Sequence, residues 1–302
     1  MLAALMYLAV VLYTGHEQAL EAFMRIGLLG WLFLIACSCI NYGVRYLRWQ
    51  FYLKLNGHCL PHHLSFLYYL SAFALTTTPG KAGETIRSVL LQPHGVPYHT
   101  SLACFLIERL MDLVIVTLLS FLILINFEDY TYFIVIFMSV LLLVLPLIRH
   151  RFFQNALSKW HNEHKTTSLG RFAGHAANLL QYAGKLLMPK TLYTSFVLGL
   201  IAWSVQGIAF YFILVMLGFE VSYALAMGIY AVSLLAGAAS FIPGGIGSTE
   251  LVMGLLLTAI GADSAVAVTA PLISRLSTLW FAVIVGLIAT GSINLLRQKT
   301  ES

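Results

Sequence analysis

Long apolar runs separated by short polar stretches dominate this chain. Gly27–Tyr46, Ser101–Ile125, Tyr132–Ile148, Leu192–Leu217 and Ala265–Leu296 read as helices that cross or nearly cross a hydrocarbon layer, for which about 20 apolar residues suffice. Met1–Tyr13 is apolar but short, and is expected to be a tilted or interfacial helix without the basic start or cleavage site of a signal peptide. Gly15–Arg25 reads as a short outside loop, and Pro271 is expected to kink the last long run. Leu64–Thr77 has only 14 residues, about 21 Å of helix. That is too short to cross, and Glu84–Gln92 follows it before Pro93, Gly95 and Pro97 end the segment. Ala224–Ser240 and the ten residues Leu251–Ile260 repeat the arrangement. The pattern predicts an all-α polytopic membrane protein of about six transmembrane helices plus two inverted re-entrant helical hairpins. Its pseudo-two-fold halves, residues 1–148 and 191–302, flank a basic linker, 149–190, within one transmembrane domain, 1–302.

Each hairpin turns on a break of the form P-G-x-x-G followed by Glu. The first contains Pro79, Gly80, Lys81, Gly83 and Glu84; the second contains Pro243, Gly244, Gly245, Gly247 and Glu250. Proline removes a backbone donor and glycine lets the chain turn. Inside a bilayer such a break survives only where protein buries it or water reaches it. Glu84 precedes Arg109 by 25 residues, and Glu250 precedes Arg275 by 25, which suggests related halves. An inverted pair of broken helices meeting near the midplane is a design of secondary transporters.

Composition supports a membrane protein: 60% of residues are hydrophobic and 10% charged, against about 25% charged in soluble domains. The net charge of +5 is explained by where the cations fall. Residues 149–190 hold seven Lys and Arg against Glu163 alone, which places that segment in the cytoplasm. Arg45, Arg48 and Lys54 place the end of the second apolar run there too, so both termini are expected inside the cell membrane's cytoplasmic face. The linker is too small for a catalytic domain, and its amphipathic Phe172–Leu187 is expected to lie on the membrane face. No nucleic-acid motif accompanies the positive charge. Cys37, Cys39, Cys59 and Cys104 form no C-x-x-C pair and read as free thiols.

Eight ionisable residues fall within membrane or hairpin: Lys81, Glu84, Arg87, Glu108, Arg109, Asp112, Glu250 and Arg275. Unpaired, they would cost roughly 20–28 kcal/mol in total, more than a typical folding stability of about 5–15 kcal/mol. They must pair or face water. The balanced count, four of each sign, suits pairing. Glu84 with Arg87 and Glu108 with Asp112 each share a helical face. The bland reading is a set of buried pairs that fix helix register. The functional reading is a polar path or headgroup site, because the charges cluster beside breaks and a helix start such as Ser248–Glu250 favours a phosphate. His58, His62 and His63 read as interfacial histidines, not metal ligands. Phe66, Tyr68, Tyr69 and Phe73 read as packing. The glycines of the second break follow no strand and lack the Lys-Ser/Thr of a phosphate loop. No cofactor or metal is expected.

With Arg45, the Pro79–Glu84 segment with Arg87, Glu108-Arg109 with Asp112, Pro243–Gly247 with Glu250, and Arg275, the chain resembles the lysylphosphatidylglycerol synthase transmembrane family of flippase-like proteins. The resemblance covers about residues 41–275. It implies movement of a lipid or polyprenyl-linked molecule between leaflets of the inner membrane. Stand-alone relatives are often found with glycan- or lipid-synthesis genes, so such enzymes, or a second copy of the chain, are partners to consider. Relatives that make the lipid carry a soluble aminoacyl-transfer domain; this chain ends at Ser302 without one, so synthase activity is not carried over. The expected function is therefore a non-catalytic lipid translocase handling an anionic or phosphate-bearing headgroup. A transporter of a small soluble solute or ion is the alternative. A headgroup enzyme lacks a visible nucleophile–base set, and a scaffold would tolerate neutral residues in place of the buried charges.

Overall fold

A computed structural model describes residues 16–164 and 167–301. The short apolar segment Met1–Tyr13 lies outside them. Among the described residues the chain is helical without strands. The helices are α1 (His16–Leu55), α2 (His62–Ser71), α3 (Ile86–Leu91), α4 (Tyr98–Ser120), α5 (Thr131–Arg149) and α6 (Arg151–Glu163). They continue with α7 (Ser168–Leu186), α8 (Pro189–Met216), α9 (Tyr223–Ala239), α10 (Ser248–Ala259), α11 (Ser264–Arg275) and α12 (Phe281–Glu301). Four stretches are long and apolar enough to cross a membrane: Met24–Leu55, Thr131–Arg149, Pro189–Met216 and Ser264–Leu296. Helix α4 is also long, with 23 residues, but it carries Glu108, Arg109 and Asp112.

Two local expectations are corrected. The stretch read as an outside loop is helical from His16, and α1 changes direction only at Gly27 (φ 63°, ψ 170°), a backbone that glycine reaches at little cost. The last long run stays helical through Pro271; its irregularity is a π turn at Leu276–Trp280, just after Arg275. A π turn leaves carbonyls without their usual partners. Here Ser38 and Tyr42 of α1 donate to the carbonyls of Ser277 and Thr278, both at 2.7 Å.

The core is built in two parts. One gathers the start of α1 with α8, α9, α10 and α11 around Leu34, Phe210, Ile229 and Leu257. The other gathers the end of α1 with α2, α4 and α12 around Trp49, Tyr52, Tyr69, Phe73 and Ile107. Of the aromatic run in α2 and beyond, Tyr68, Tyr69 and Phe73 are buried, as packing requires. Helix α12 reaches the turn after α2 through Gly286, where an added Cβ would sit 2.1 Å from the Ala74 nitrogen. Helix α5 is different: Tyr132, Phe133, Ile136 and Leu143 all point outwards. An apolar helix with so little buried surface matches a lipid-facing span. Helices α6 and α7 pack against each other, and α7 lies on α4 and α5.

Candidate functional site

Both breaks are built the same way. After α2 a 3₁₀ turn (Ala72–Leu75) gives way at Thr78, whose extended backbone leads into Pro79 at the start of a second 3₁₀ turn, Pro79–Thr85. After α9, extended Ile242 leads into Pro243 at the start of the 3₁₀ turn Pro243–Gly245. Proline is suited to a first helical position because its missing N–H would be unpaired there anyway. Gly80 and Gly244 both take left-handed backbones (φ 59° and 66°). Gly83 serves differently: an added Cβ would lie 2.6 Å from the Leu75 Cβ. Hydroxyls satisfy the loosened backbone. The Gly83 amide donates to Thr78 Oγ1 at 2.6 Å, and the Ile242 amide donates to Ser240 Oγ at 3.2 Å. The breaks meet, since a Cβ on Gly244 would sit 3.4 Å from the Thr77 Cα.

At the first break the charges form one buried cluster. Glu108 accepts from Arg87 (2.7 Å), Arg109 (2.9 Å), Arg45 (3.2 Å) and the Tyr69 hydroxyl (3.2 Å). Asp112 accepts from Arg48 at 2.6 Å and the Trp203 indole at 3.1 Å, with Arg109 at 3.2 Å from its other oxygen. Glu84 accepts from Thr76 Oγ1 at 2.8 Å and lies 3.9 Å from Arg109. The Arg87 guanidinium also stacks 3.8 Å from the Trp49 ring, a cation–π contact. At the second break Arg275 Nε donates to Glu250 at 3.0 Å, and its Nη2 donates to the Gly244 carbonyl. Glu250 in turn accepts from the Gly247 amide at 2.8 Å, capping α10 from its third position. Each pair spaced 25 residues apart is thus an ion pair.

Three expectations about these charges change. Glu84 and Arg87 do not pair: Glu84 sits in a 3₁₀ turn and Arg87 in α3, and Arg87 is drawn to Glu108 and Trp49. Arg45 and Arg48, read from the sequence as cations at a cytoplasmic helix end, are buried and ion-paired inside the fold. Their arrival ends the balance of four against four. A signal for them existed: Ser38, Asn41, Arg45 and Arg48 follow helical spacing along one face of an otherwise apolar run. Trp203 and Gln206 on α8 were also missed, and nothing in their surroundings marks them in the sequence.

The two breaks open onto one cavity of about 610 Å³. Its lining is mixed: Arg45, Lys81, Arg109, Asp112 and Arg275 are charged, and Phe137, Leu141, Leu234, Leu235, Phe241 and Ile242 are apolar. Arg48, Arg87, Glu84 and Glu108 are buried behind the charged lining, and Glu250 holds Arg275 in place. Lys81 is half-buried and makes no ion pair within 4 Å among the described residues. The arrangement can hold a polar group against the arginines while an apolar chain lies along Phe137 and Phe241. His62 lies apart from this cavity and shares a hydrogen bond with Tyr46 at 3.3 Å.

The family model described as the lysylphosphatidylglycerol synthase transmembrane region matches residues 1–286. The chain belongs to that family. Its relatives include a UPF0104 membrane protein of Pyrococcus horikoshii, 24% identical over 309 residues that cover 91% of this chain and 90% of that one. A UPF0104 membrane protein of Methanothermobacter thermautotrophicus is 29% identical over 93 residues, 31% of this chain and 28% of that one. With its apolar helices, the family places the chain among integral membrane proteins, and the resemblance drawn from the two breaks holds at the family level.

Proposed function

We propose that the chain is a non-catalytic lipid translocase. It binds the anionic or phosphate-bearing headgroup of a membrane lipid or polyprenyl-linked molecule in the cavity between the breaks and carries it between leaflets. The observation that carries this reading is the mixed lining of the cavity: Lys81 of the first break, with Arg45, Arg109 and Arg275 from the neighbouring helices, shares it with apolar side chains such as Phe137, Phe241 and Ile242. A soluble solute would have no use for the apolar part, which is why the lipid reading is preferred. The matched pairs Glu84–Arg109 and Glu250–Arg275 support two inverted halves that rock about the site. The basic helices α6 and α7 support an orientation with that segment and both termini in the cytoplasm of the cell's inner membrane. Reconstitution into liposomes, with a labelled lipid followed between leaflets, tests the proposal. Transport should fall at least about tenfold in Arg275→Ala and Glu250→Gln, the size of one lost charge-assisted contact of roughly 1.5–3 kcal/mol. Unchanged transport in both would refute the site.

A further inference from the structure

The charges around the cavity do not cancel. At the first break the cations Arg45, Arg48, Arg87, Arg109 and Lys81 stand against Glu84, Glu108 and Asp112. At the second, Arg275 is matched by Glu250. Five against three, then one against one, leaves two positive charges uncompensated among the described residues. Burial makes that surplus matter, because an unpaired charge taken out of water is held at high energy. Donors are in surplus as well. In and behind the cavity wall, six buried arginine donor atoms lack a hydrogen-bond partner (Nε of Arg45, Arg48, Arg87 and Arg109, and Nη1 of Arg48 and Arg87), against three such acceptors, Glu84 Oε2, Asp112 Oδ2 and Gln206 Oε1. The Lys81 ammonium, on the same wall, has no ion pair within 4 Å. Lys81 is also one of two non-glycine residues with a left-handed backbone among the described residues (φ 56°, ψ 26°). A side chain of that kind normally avoids such a conformation, and here it sets the lysine into the cavity wall beside Gly80.

Resting on the translocase reading, we infer that the site selects a doubly charged phosphorylated headgroup, a phosphomonoester or a diphosphate. A singly charged phosphodiester would leave one positive charge unmet, and a cationic aminoacylated lipid would add a third. A phosphomonoester carries about −1.5 to −2 at neutral pH and three acceptor oxygens, which matches both the charge surplus and the donor surplus. Lys81 is the residue that sets the second unit of selectivity, since it is the cation without an internal partner.

The test is native mass spectrometry of the purified full chain in detergent, titrated with phosphatidic acid, phosphatidylglycerol, lysyl-phosphatidylglycerol and inorganic phosphate. Phosphatidic acid should bind at least about tenfold tighter than phosphatidylglycerol, and the cationic lipid weakest, from one further unit charge at short range. In Lys81→Gln, with melting temperature unchanged, that preference should shrink to about threefold or less, because the dianion loses more than the monoanion when one cation is removed. Inorganic phosphate should compete with phosphatidic acid but bind more weakly. Equal binding of the two anionic lipids, tighter binding of the cationic one, or an undiminished preference in Lys81→Gln overturns the inference. Selective binding with no transport in liposomes would sink the translocase reading alone. Transport that ignores headgroup charge would sink this inference alone. Inorganic phosphate binding as tightly as phosphatidic acid would keep the dianion site and remove the lipid from it.

Discussion

Neutralising Glu108 should cost this protein a large part of its stability. The carboxylate has no exposed surface and four guanidinium groups within 4 Å: Arg87 at 2.7 Å, Arg109 at 2.9 Å, Arg45 at 3.2 Å and Arg48 at 3.7 Å. A unit pair at about 4 Å is worth around 4 kcal/mol at an effective dielectric constant of 20. Desolvation of the ions and repulsion among the arginines offset most of that gross attraction. The better guide is the measured loss when one member of a buried pair is removed, about 3–5 kcal/mol. Glu108→Gln keeps the shape and the Tyr69 hydrogen bond within reach, so the loss reports charge and not volume. Unfolding in mixed detergent micelles, followed by circular dichroism, should show a destabilisation of about 3–5 kcal/mol. The surface change Glu128→Gln should stay within about 0.5 kcal/mol of the unmodified protein. Arg87 has Glu108 as its close acidic partner, so Arg87→Leu with Glu108→Gln removes a matched pair. The loss in the double variant should fall short of the sum of the two single losses by about 0.5–3 kcal/mol. The reasoning is refuted if Glu108→Gln unfolds with the same midpoint as Glu128→Gln, because a buried ion shared by four arginines, three of them buried, cannot be removed without consequence.

Other outcomes follow from the same geometry. Arg275→Lys cannot serve Glu250 and the Gly244 carbonyl together; it should retain the fold by circular dichroism while transport falls at least about tenfold. Gly286→Ala places a Cβ 2.1 Å from the Ala74 nitrogen, so α12 must move off the turn after α2, with a loss of about 1–3 kcal/mol in unfolding experiments. Gly247→Ala meets no neighbour, yet its φ of 87° strains any side chain; a loss of about 1–3 kcal/mol is expected from backbone strain alone.

The positions of the breaks were legible in the sequence, because proline and glycine within apolar runs act locally. Pro79-Gly80 and Pro243-Gly244 interrupt helices whatever surrounds them. Of the about six spans expected, the four stretches long and apolar enough to cross a membrane were legible for a similar reason: hydrophobicity over 20 or so residues is a property of the run itself. The mismatch at Gly15–Arg25 shows the limit of that logic, since polar side chains do not prevent a helix. What each charge would do was not legible. Glu84 and Arg87 are three residues apart, but the change from 3₁₀ to α geometry between them, and the pull of Trp49 and Glu108, sends them to different partners. Arg45 and Arg48 look in sequence like cations at the end of a span and become the inner members of a cluster. Local order fixes turns and runs through backbone sterics and hydration, whereas the pairing of buried ions depends on which helices come together. The surplus of two positive charges around the cavity exists only because packing brought Arg45 and Arg48 of α1 against the acids of α4.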